Sequence, residues 1–96
     1  MLSVLNLALV QATVPLPLTR IGFITSRRVG SAVIRNRVRR RLRELVRVNR
    51  PQLRDGFFLV LVARARAAGA TFEALEREWI SLARRASILK REGNVA

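Results

Sequence analysis

The sequence predicts an α+β fold, an α/β sandwich with two helices packed on one face of a small mixed sheet. Three observations lead there. Ile34, Val38, Leu42 and Leu45 recur at spacings of four, four and three, one stripe of a helical period. Phe72, Leu75, Trp79, Leu82, Ala86 and Leu89 form a second stripe by alternating spacings of three and four. Between the two, Phe57–Ala63 is an unbroken apolar run of strand length, the pattern of a strand buried on both faces.

The remaining elements follow in order. A first strand is expected over Ser3–Ala12, rich in Val and Leu. Pro15 and Pro17 then turn the chain, because proline donates nothing to a strand ladder. Arg20–Ser26 is the second strand, with Ile21, Phe23 and Thr25 on one face, and Arg27–Ser31 is a basic loop containing Gly30. The first helix begins between Ser31 and Asn36 and stops before Pro51. At about 100° per residue, Arg39, Arg40, Arg43 and Arg47 are expected opposite its apolar stripe, with Arg35, Arg37 and Arg41 on the flanks. Asp55-Gly56 turns into the apolar strand, residues 64–70 form a loop, and Thr71 is the N-cap of a helix from Phe72 to about Lys90. That helix starts with Glu73, Glu76 and Glu78 and ends with Arg84, Arg85, Lys90 and Arg91, a polarity that suits its dipole.

Composition narrows the function classes. Ninety-six residues fit one domain, 1–96. Nineteen basic residues, eighteen of them Arg, against six acids give +13. With half the chain apolar, this is a folding domain and no disordered basic tail. Without Cys, His or Tyr, Ser-His-Asp, Cys-His and HExxH chemistry are excluded, as is a Cys-based zinc site. Glu73, Glu76 and Glu78 fit a helix N-terminal turn better than a two-metal site, so catalytic and metal-ligating residues are both assigned as none. The apolar segment 1–18 carries no charge before Arg20 and is broken by Asn6, Gln11, Pro15 and Pro17. It therefore suits a buried strand better than a signal peptide or a membrane span, and a soluble, cytoplasmic protein is expected.

The charge is concentrated. Twelve arginines and one acid, Glu44, lie between Arg20 and Arg54. Crowding like charges on one helix is unfavourable unless a partner supplies the counter-charge, and the arginine fork grips phosphate bidentately. The partner class is a polyanion, with no membrane and no small-molecule substrate expected.

Residues 29–44, Val-Gly-Ser-Ala-Val-Ile-Arg-Asn-Arg-Val-Arg-Arg-Arg-Leu-Arg-Glu, closely resemble the signature of the bacterial ribonuclease P protein component. That pattern is an apolar residue, two of any type, Ala, two more, then Arg-Asn-basic-apolar-basic-Arg-x-apolar-basic. Residues 22–30 are similar to the family's strand and basic loop, 57–64 to its buried strand, and 72–89 to its C-terminal helix. The resemblance implies a left-handed β-α-β crossover, against the usual right-handed rule. It also implies a complex with the catalytic RNA of ribonuclease P that removes the 5′ leader of precursor tRNA. Catalysis would lie in the RNA, which would also hold the Mg²⁺.

Carried over by position, Arg35, Asn36, Arg37, Arg39, Arg40 and Arg43 would contact the catalytic RNA, and Arg27 and Arg28 extend that surface. Asn6 and Phe23 are the expected leader-cleft positions. Relatives usually carry a further helix with aromatics ahead of the first strand, whereas this chain starts almost at that strand. The alternative is another structured-RNA binder, such as a ribosomal protein on a related fold.

Overall fold

A computed structural model describes residues 1–90. Four strands and two helices follow one another as β1 (Leu2–Ser3), β2 (Leu7–Thr13), β3 (Arg20–Thr25), α1 (Ala32–Asn49), β4 (Phe57–Ala63) and α2 (Phe72–Arg85). Short 3-10 turns cover Arg27–Val29, Arg50–Gln52 and Ala65–Gly69. The sheet order is β1-β2-β4-β3, with β2 antiparallel to β4 and β3 parallel to it. Parallel neighbours need a crossover connection, and α1 supplies it.

Register assigns the faces. Leu7 pairs with Ala63, Leu9 with Leu61, Ile21 with Leu59 and Phe23 with Leu61, so these side chains share one face. Both helices pack there, and Val38, Leu42, Leu45, Leu75, Trp79 and Leu82 are fully buried against it. The opposite face carries Val10, Ile24 and Phe58, exposed by 42%, 51% and 50% respectively. Phe57–Ala63 is therefore buried on one face only: Leu59, Leu61 and Ala63 are sealed, while Val60 and Val62 are half-buried. A continuous apolar run has the same composition in either case, so the pattern cannot count the covering layers.

Two boundaries differ clearly from expectation. The first strand is a hairpin: Val4 N–H donates to the Leu7 carbonyl at 2.8 Å, and Leu2 and Ser3 fold back on Leu9 and Ala8. The last helix stops at Arg85 instead of near Lys90. Ser87 adopts φ +58°, Ser87 N–H donates to the Arg84 carbonyl and Ile88 N–H to the Ala83 carbonyl, each at 3.1 Å. These two bonds make a Schellman stop with serine at the left-handed position usually held by glycine. Beyond it, Lys90 N–H donates to the Gln52 carbonyl and Leu89 bridges Leu53, so the stripe continues as extended chain. Thr71 does cap α2, its Oγ1 accepting from Ala74 N–H at 3.1 Å.

Candidate nucleic-acid interface

The basic surface is built where the parallel strands β3 and β4 end. β3 runs out at Thr25 into the turn Arg27–Val29, and β4 runs out at Ala63 into the turn Ala65–Gly69. The two turns pack against each other. Gly30 joins the first turn to α1 at φ +147°, and a Cβ there would meet Ile34 Cδ1 at 3.0 Å. Glycine is thus required both for backbone angle and for space. Ser31 caps α1, with Oγ accepting from Ile34 N–H at 3.4 Å.

The arginines of α1 divide into two groups. Some are fastened to the fold. Arg35 donates to the Gly30 carbonyl at 3.1 Å and Arg41 to the Ala70 carbonyl at 2.9 Å. Arg39 donates to Thr25 Oγ1 at 2.7 Å and to Asn36 Oδ1 at 3.3 Å. The second group projects outward. Arg37, Arg40 and Arg43 are exposed, as are Arg27 and Arg28 at the preceding turn, and none of the five pairs with an acid among the described residues. Among the described residues, Arg47 is the one arginine of α1 with an acidic partner, Glu44 at 2.5 Å. This contact holds the Glu44 carboxyl below its ordinary range, chiefly through the Arg47 hydrogen bond.

Arg39 corrects one expectation. The helical projection sets it opposite the apolar stripe, but it is half-buried and turned toward β3. One step from the buried Val38 is about 100° around the helix, which puts Arg39 on the flank. Asn36 is exposed beside it.

Asn6 does not line a cleft. It is 6% exposed, its backbone N–H donates to Glu78 Oε1 at 2.9 Å and its Nδ2 to Oε2 at 2.7 Å. Its N–H donors are thereby committed to a carboxylate inside the fold. Phe23 is half-buried on the helix side of β3, beside Arg43 and Val46, and so lies on the opposite face from Phe58. Phe58 escapes a reading of the sequence, because its alternation with Leu59 is hidden inside the apolar run. Arg66 escapes it too, exposed on the turn that packs against Arg27–Val29. The only signal for Arg66 is its place in the basic loop 64–70.

Chemically, this surface is an array of cationic forks suited to phosphate. Among the described residues, no three of His, Cys, Asp or Glu converge as a metal site would require. No described helix is long and apolar enough to cross a membrane.

Residues 3–87 match the profile of the family described as Ribonuclease P. A ribonuclease P protein component of Symbiobacterium thermophilum is 45% identical over 75 residues, covering 78% of this chain and 65% of that protein. One from Syntrophomonas wolfei is 41% identical over 75 residues, covering 78% and 63%. The chain thus spans less than two thirds of the length of these relatives. The structure of an RNase P protein from Thermotoga maritima superposes with a TM-score of 0.80 at 23% identity, covering 88% of this chain and 80% of that one. That likeness establishes the shared fold: a four-stranded mixed sheet with two helices.

Proposed function

The chain belongs to the ribonuclease P protein family, and on that premise we propose that it serves as the protein subunit of a ribonuclease P ribonucleoprotein, binding the catalytic RNA and the 5′ leader of precursor tRNA. The observation that carries the reading is the outward group of arginines: Arg27, Arg28, Arg37, Arg40 and Arg43, exposed on α1 and the turn before it with no acid paired to them among the described residues. Such a surface repels itself until phosphates neutralise it. In this reading Arg35 and Arg39 hold α1 in place, with Asn36 at the contact edge.

The chemistry is assigned to the RNA. Phosphodiester hydrolysis needs an activated water and a polarised phosphate, commonly through two Mg²⁺ ions. Three of the five described carboxylates are engaged elsewhere, Glu44 on Arg47, Glu78 on Asn6 and Glu76 on Asn49. The Mg²⁺ is therefore expected in the RNA, and the protein's part is to position substrate and screen phosphate repulsion. The open face of the sheet, with Val10, Ile24 and Phe58, is the apolar platform best suited to a single-stranded leader. The working compartment is the cytoplasm, where precursor tRNA is made.

Direct binding tests this. The full chain should hold a bacterial ribonuclease P RNA more tightly than a ribosomal RNA fragment of equal length, with affinity falling steeply as salt rises. Equal affinity for both would favour a general structured-RNA binder.

A further inference from the structure

A groove between the edge strand β3 and the second half of α1 lies on the opposite side of the sheet from the open face and shares Arg43 with the outward arginines. Its floor is Ile21 and Phe23 from β3 and Val46 from α1, and its rim is Arg43, Arg47 and Arg50. Positions 43, 46, 47 and 50 fall on one stripe of the helix. Three guanidinium groups stand where a closed core would continue with apolar side chains.

Two of the three are already held. Arg47 is paired with Glu44, and Arg50 Nη2 donates to the Thr19 carbonyl at 2.5 Å. Arg43 makes no hydrogen bond or ion pair among the described residues. The groove encloses about 270 Å³, below the range of roughly 300–1,000 Å³ typical of small-molecule sites.

The geometry points to this groove as a pocket for one unpaired nucleotide of an RNA, with the base on Phe23 and Ile21 and its flanking phosphates on Arg43 and Arg50. The inference rests on the RNA-binding reading above and extends that contact surface from Arg43 toward β3. A half-open aromatic ring beside one guanidinium held by Thr19 and one left free matches a flat π-face joined to an anionic backbone. A paired base keeps its faces stacked in the helix, so only a splayed-out nucleotide can enter. The volume suits a single base, and Arg43 and Arg50, which have no acidic partner among the described residues, favour an anionic unit.

Photocrosslinking of the full chain to a six-nucleotide oligoribonucleotide carrying one 5-iodouridine tests the pocket. After trypsin, residues 21–27 contain Phe23 as their only aromatic, and Phe57 and Phe58 fall in a separate peptide, 55–64. An adduct on the 21–27 peptide is expected. Phe23→Leu keeps an apolar floor but removes the ring, and should raise the Kd about tenfold, the size of one base stack. Arg50→Gln leaves the floor intact and should reduce the adduct yield, so the test stands even if Phe23→Leu folds poorly. RNA that binds with adducts only elsewhere, such as on 55–64, would overturn the pocket while leaving the RNA-binding reading standing. Absence of any salt-sensitive RNA binding would overturn both.

Discussion

Arg39 donates a hydrogen bond from Nη2 to Thr25 Oγ1 at 2.7 Å, fastening the basic helix to the last residue of edge strand β3. A motif arginine is thereby a structural brace. The same is true of Arg35 on Gly30 and Arg41 on Ala70, each closing a backbone carbonyl that the local chain leaves open. Thr25→Val removes the acceptor at nearly constant shape. It should lower stability by about 0.5–1.5 kcal/mol in urea unfolding, more for a bond to a charged group.

The outward arginines should behave differently. Replacing Arg37, Arg40 and Arg43 by Gln should leave the melting temperature nearly unchanged and weaken RNA binding. For every phosphate that is no longer neutralised, the slope of log K against log salt should flatten by about 0.9 on duplex and about 0.7 on single strands. If Arg39→Gln flattened the slope as much as any of these, its assignment as a brace would fail.

Asn6 and Glu78 join the β1–β2 turn to α2 through two bonds to one carboxylate. Glu78→Ala leaves a buried amide and a backbone N–H without partners. A loss of about 1–3 kcal/mol is expected for each group left unsatisfied. Chemical denaturation checks the stability, and hydrogen exchange at Asn6 checks that the loosening is local.

Gly30→Ala should also destabilise, by about 1–3 kcal/mol, because of the positive φ and the contact with Ile34. RNA affinity should fall with it, since Gly30 sets the angle between Arg27–Val29 and α1. Leu42→Asp should unfold the domain outright. Leu42 is fully buried, and an unpaired buried charge costs several kcal/mol against a total stability of about 5–15. A soluble, cooperatively unfolding Leu42→Asp variant would mean that the faces of α1 are reversed.

The Glu44–Arg47 pair supplies the pH dependence. The folded state holds the Glu44 carboxyl below its ordinary value of 4.5, so its contribution is present above that value. It fades as pH falls through the folded value. Because the pair is exposed, high salt should suppress the difference, and Glu44→Gln should abolish it. Carboxyl titration by NMR in low and high salt measures this directly.

The fold is legible in the sequence wherever one face of an element is sealed. The stripes of α1 and α2 and the odd face of β3 declare themselves because Val38, Leu42, Trp79 and Phe23 alternate with polar or exposed positions. The open face of β4 does not, since Phe58, Val60 and Val62 are as apolar as the buried Leu59 and Leu61. The end of α2 is hidden because Leu89 keeps the stripe spacing while belonging to a bridge with Leu53. Within the basic site, the sequence shows the arginines but not their division of labour. Which guanidinium meets a carbonyl depends on where β3, α1 and the turn after β4 converge.

Reconstituted cleavage tests the central claim most directly. A bacterial ribonuclease P RNA is mixed with a leader-bearing precursor tRNA at an Mg²⁺ concentration too low for the RNA alone, with and without the full chain. The chain should restore cleavage at the mature 5′ end, and the Arg37, Arg40 and Arg43 triple variant should do so only at much higher protein concentration. No restoration by a folded wild-type chain, or full restoration by the triple variant at wild-type concentration, would contradict it.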